Sequence, residues 1–178
     1  MTDSSGKNLL ALNCGSSSIK FAVFTDRLER SFSGLVEAIG HGQTPRLKTS
    51  TGEKMEFGDP DQGHAEVLPR LINEIVLPRA GAIEGVGHRI VHGGELFNAP
   101  VRITPEIRSG ISELSPLAPG HQPHNLAGID AATQALPDVP QIACFDTAFH
   151  RAHPWVHDTF GLPREWYDRG VRRYGWKT

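Results

Sequence analysis

The apolar positions change period partway along the chain. Residues 8–14 form a nearly continuous apolar run, short enough for a buried strand, and Gly15-Ser16-Ser17-Ser18 punctuates it. Residues 19–25 resume with Ile19, Phe21 and Val23 on one alternating face, which predicts a second strand. A turn over Asp26–Glu29 leads to a third strand at 30–37. Thr51-Gly52-Glu53, between Leu47-Lys48-Thr49 and Met55-Glu56-Phe57, predicts a hairpin over 46–57. The chain therefore opens as a strand–turn–strand meander.

Helical spacing then takes over. Leu68, Leu71, Ile72, Ile75 and Val76 predict an amphipathic helix over 62–77, kinked or effectively started by Pro69, since an interior proline costs about 3 kcal/mol. Residues 85–92 read as a strand bounded by Gly93-Gly94. Thr104 is placed to cap a helix opening at Pro105, with Ile107, Ile111 and Leu114 as its inner stripe. A proline-broken loop at 115–124, a helix over 124–136 and a strand from Gln141 to Asp146 follow. Strands first, then strands alternating with helices, predict an α/β layered fold with a mixed sheet.

At 178 residues one domain is expected, large enough to bury a core. A formal charge of −2 from 18 basic and 20 acidic residues leaves no basic stripe, which argues against nucleic acid as a partner. No apolar window approaches a membrane span, and the N-terminus lacks a signal-peptide pattern, so a cytoplasmic protein is expected. Cys14 and Cys144 are far apart, each in a short apolar run, and read as buried thiols of a reducing compartment.

Three segments carry candidate chemistry. Asn13 to Lys20 is a strand, a small-residue turn and a strand; the turn is either an anion nest with the Lys20 charge beside it or simply a turn. No Gly-Lys-Ser/Thr ending makes it a Walker loop. In Gly87-His88-Arg89-Ile90-Val91-His92-Gly93-Gly94, Arg89 near a strand end can grip a carboxylate or phosphoryl group bidentately, or serve a structural ion pair. The glycine pair leaves room for close approach to the backbone. Asp146 directly follows an apolar strand, where α/β proteins gather ligands, and is either an acid–base or metal-linked carboxylate or a cap. Nine histidines raise a metal reading at His88/His92, His121/His124 and His150/His153/His157, which only geometry can decide.

Together these segments resemble acetate kinases, of the acetate and sugar kinase/actin-like superfamily. The matching signatures are Asn13–Lys20, Gly87–Gly94, Leu117-Ala118-Pro119 with His121, Phe145–His150 and Gly170–Gly175. The resemblance implies an RNase H-like (actin-like ATPase) α/β domain with a mixed sheet flanked by helices. It also implies ATP-dependent phosphorylation of acetate, or another short-chain carboxylate, to the acyl phosphate with Mg²⁺. Carried over by position, Asn13 resembles the magnesium-site asparagine, Lys20 the nucleotide-site lysine and Arg89 the arginine that holds the substrate carboxylate. Val91 resembles part of the methyl pocket, Asp146 the catalytic carboxylate and His121 a further active-site histidine.

The resemblance implies that the chain is less than half of a family-length protein, the N-terminal part, with the adenosine-binding domain expected to be absent from it. Gly120 stands where the family has a methyl-pocket leucine, implying tolerance of propionate, and Gln122 replaces an asparagine. Lys177 takes the place of the transition-state histidine. Full-length relatives are expected to be homodimers. This chain alone is expected to be inactive, and monomeric or self-associating; the alternative is a non-catalytic remnant of a truncated kinase that binds small anions or a partner.

Overall fold

The computed structural model describes residues 7–150 and 154–174. Its opening strands follow the apolar alternation closely: β1 (Asn8–Cys14), β2 (Ser18–Phe24) and β3 (Arg30–Glu37). The 46–57 hairpin forms as β4 (Arg46–Thr49) and β5 (Lys54–Glu56). The helical stretch consists of α1 (His64–Arg70), a π-helical segment (Leu71–Val76) and α2 (Leu77–Ala80). Then come β6 (Ile83–Ile90), β7 (Val101–Arg102), α3 (Pro105–Glu113), α4 (Gln122–Ala135), β8 (Gln141–Phe145) and α5 (Arg164–Asp168).

Among the described residues eight strands form one sheet, ordered β5-β4-β3-β2-β1-β6-β8-β7. β1 pairs in parallel with β6, and β6 with β8; the remaining neighbours are antiparallel. The expected mixed sheet is therefore present. The three parallel strands point their carboxyl ends the same way, the usual place for a site in an α/β sheet.

Alternation sends Leu10, Leu12, Cys14, Ile19, Phe21 and Val23 to one face. There they pack with Val67, Leu68, Leu71, Ile72, Val76, Ala131 and Ala132 of the helices. A second cluster gathers Ile90, Phe97, Ile111, Leu114, Ile129 and Phe145 beneath α3 and α4, with the Phe97 and Phe145 rings stacked at 4.7 Å. Gly128 of α4 lets the helix sit on β1: a β-carbon there would lie 2.4 Å from the Cys14 sulfur.

The helix expected over 62–77 is not one kinked α-helix. Pro69 and Pro78 have no N–H, so the carbonyls four residues before them lack their usual donor. Between the two prolines the winding loosens to a π segment, where the Leu77 N–H reaches the Ile72 carbonyl. The apolar stripe stays buried throughout. Thr104 caps α3 as expected, its hydroxyl accepting from the Ile107 N–H at 3.3 Å. α4 begins at Gln122, two residues earlier than its spacing implies.

The room left by Gly93 and Gly94 is taken by the protein itself. A β-carbon at Gly93 would meet the Phe97 carbonyl at 2.7 Å. One at Gly94, whose φ is +59°, would meet Leu114 at 2.7 Å.

Candidate active site

Asn13 is the penultimate residue of β1, Arg89 the penultimate residue of β6, and Asp146 follows the last residue of β8. The shared carboxyl edge brings the three together. The Arg89 guanidinium grips Asp146 through Nε, 3.1 and 3.0 Å from the two carboxylate oxygens, and through Nη2 at 2.6 Å. Its Nη1 turns towards the Asn13 side-chain oxygen at 3.4 Å. The Asp146 side chain is largely enclosed, with 13% exposed, whereas that of Arg89 keeps 46% exposed. The carboxylate bonds raise the Arg89 pKa further, so it stays charged at any working pH.

Register places Lys20 directly opposite Asn13 across β1–β2. Cross-strand partners project to the same face, so Lys20, Asn13 and Arg89 line one hollow of about 700 Å³ on the side of the sheet away from the helices. Small residues of the same strands, Ala11, Ala22 and Gly87, form its floor.

Cys144 lines the same hollow, in register with Arg89. It is exposed, contrary to the expectation of a buried thiol. Burial raises the Cys144 pKa, and pushes that of the enclosed Cys14 up to about 12. Alternation counted back from Asp146 is the signal that places Cys144 on the open side.

Other candidates are placed differently. His121 stands at the N-cap position of α4 and makes no side-chain capping bond. Gly120 is exposed, and a β-carbon there would meet nothing within 4 Å. Val91 is buried. The Gly15 N–H is spent inside its own turn, on the Ser18 carbonyl at 2.8 Å. His64, enclosed against the Gly15 and Ser18 backbone and 5.7 Å from the His124 ring, underlies that turn. Nothing in the sequence pattern singled it out. Gln122 is fully buried and donates to the His92 and Ile111 carbonyls. Lys177 lies outside the described residues.

The described residues give the metal reading of the histidines no support. His88 faces the helix layer, its Nε2 2.6 Å from the Gln141 side-chain oxygen. Among the described residues no group of three His, Cys, Asp or Glu converges; His153 and the His150 side chain lie outside them. The oxygen donors at the site are the Asn13 amide and the Asp146 carboxylate. So sparse a set suits Mg²⁺, which keeps its waters and takes much of its coordination from substrate phosphates.

Comparison with known proteins settles the family. The model of the Acetokinase family matches residues 8–178. The chain belongs to the acetokinase family. The acetate kinase of Methylocella silvestris is 44% identical over 94% of the chain, and that of Deinococcus radiodurans 44% over 93%. A propionate kinase from Francisella tularensis superposes with a TM-score of 0.84 at 31% identity, and the acetate kinase of Porphyromonas gingivalis with 0.80 at 36%. Each structural match covers 96% of this chain. The chain spans under half the length of its relatives, 45% and 42% of the two acetate kinases. No helix among the described residues is long and apolar enough to cross a membrane.

Proposed function

We propose that this chain supplies the acyl-substrate side of an acetate kinase, which transfers the γ-phosphoryl group of ATP to acetate and releases ADP and acetyl phosphate. The supporting observation is the convergence of Asn13, Arg89 and Asp146 at one sheet edge, with Lys20 alongside. Phosphoryl transfer demands positioning and charge neutralisation rather than covalent help from the protein.

Each residue has a task in this reading. Asp146 occupies Nε and Nη2 of Arg89 and so fixes the plane of the guanidinium. Nη1, held only loosely by Asn13, is left to receive the acetate carboxylate. One carboxylate oxygen then faces the incoming phosphorus, and Lys20 balances charge on the phosphates. Asn13 and Asp146 would hold Mg²⁺ arriving with ATP. When bound, that ion neutralises the phosphate oxygens.

The described residues offer only the acyl side of the site in this reading, so turnover by the 178-residue chain on its own is expected to be negligible. A hydroxamate assay for acetyl phosphate tests the proposal, run with and without a separately supplied remainder from a relative. Product only in the combined sample, lost with Arg89→Ala, is the expected result. Product from the chain alone at rates typical of kinases overturns the inactivity, and none in any combination overturns the function. Propionate serves as a second acceptor in the same assay and tests whether Gly120, which does not line the hollow, bears on acceptor size.

A further inference from the structure

We propose that Asn125 is a positioning residue of this site: its buried side-chain amide replaces the next rung of the β1–β6 ladder and sets the spacing between Asn13 and Arg89. The inference rests on reading the Arg89 cluster as the carboxylate site.

Parallel pairing of β1 with β6 ends at Leu12 and His88. The next residue on each strand is a site residue, Asn13 on one and Arg89 on the other. Just past them the Asn125 amide bridges the two chains. Its Nδ2 donates to the Cys14 carbonyl at 2.8 Å, and its Oδ1 accepts from the Val91 N–H at 3.0 Å. A side-chain amide carries the donor and acceptor of a peptide group, so it continues the hydrogen bonding while adding its own width between the strands. Its two backbone partners, one acceptor and one donor, fix which end of the amide is which.

The segment after β6 is tied in the same manner. Gln122 donates to the His92 carbonyl at 2.9 Å, and the buried Thr147 hydroxyl accepts from the Gly93 N–H at 2.9 Å. Those two bonds hold one side only. Asn125 joins both strands, from a helix turn lying beneath the site, and is only 4% exposed.

The test follows ¹⁵N-labelled chain by NMR during titration with sodium acetate at constant ionic strength, watching the Arg89 Nε–H and the Val91 amide. Asn125→Ala is expected to weaken acetate binding about tenfold, since small displacements of a gripping group are costly. It is also expected to shift the Arg89 Nε–H signal and speed Val91 amide exchange by roughly tenfold or more. Leu47→Ala, in the core under β4, lowers the denaturation midpoint but should leave acetate affinity within about twofold. If Asn125→Ala does not fold, Asn125→Gln keeps the amide on a longer arm and should move the Arg89 signal in a folded chain.

Unchanged Arg89 and Val91 signals in a folded Asn125 variant overturn the proposal. So does Leu47→Ala reproducing every loss. If wild-type chain ignores acetate, the carboxylate reading fails separately, and the Arg89 and Val91 signals still decide the role of Asn125.

Discussion

Leu10, Leu12 and Cys14 of β1 are shut inside the helix layer, while Leu9 and Ala11, interleaved with them, are exposed and Asn13 is half-buried. β6 repeats the contrast: Val86, His88 and Ile90 are inside, and Gly87 and Arg89 line the hollow on the other side. One set of strands builds both the core and the site, because successive side chains point to opposite faces. The inner face is held by close packing. The outer face is free to carry charge, since a substitution there disturbs few packed neighbours.

That contrast is most easily broken by truncating each face in turn. Leu12→Ala should cost about 2–5 kcal/mol in urea unfolding, whereas Ala11→Ser should stay within about 0.5 kcal/mol. Equal losses would mean that the outer face is also packed in solution.

Acid probes the inner layer less drastically. Burial lowers the pKa values of His64, His88 and His92 in the folded state. Below about pH 6.5 the unfolded chain therefore takes up protons first, and stability falls as pH falls further. Thermal midpoints should agree at pH 8 and 7 and drop by pH 5.5. A midpoint that rises on acidification would contradict the enclosed neutral imidazoles.

Arg89→Ala sharpens the outer side. The pair joins a half-exposed Arg89 to a largely enclosed Asp146, so losing the guanidinium should cost about 1–3 kcal/mol of stability. The acetate-induced NMR response should disappear altogether. A large drop in stability with an unchanged acetate response in the folded variant would make Arg89 a structural residue instead. The mildest probe is a thiol reagent on native protein, which should label Cys144 and spare Cys14; Cys14 reacting first would reverse the assigned faces.

Much of this was legible in the sequence, because strand alternation is local. The bounds of β1 and β3 coincide with those read from the apolar pattern, and Thr104-Pro105 announced α3. The π segment was hidden because its apolar spacing still fits an α-helical stripe; the two prolines, not the apolar pattern, mark it. β7, two residues long, is too short for any period. Cys144 was misplaced because an unbroken apolar run conceals which side each residue takes. Among site residues, Asn13, Arg89 and Asp146 could be named from their motifs and strand ends. Asn125 could not, since its partners are backbone groups 111 and 34 residues away and backbone groups leave no trace in residue identity.

The two outermost strands bear on how copies of this chain can meet. β5 has three residues, Lys54, Met55 and Glu56, with a charge on either side of the methionine, and β7 has two. Strands this short and this charged give an incoming strand almost nothing to hydrogen-bond along, a common defence against amyloid-type stacking. Lateral strand addition is therefore a poor route for copies of this chain to associate. Thioflavin fluorescence should therefore stay flat when the folded chain is held at high concentration.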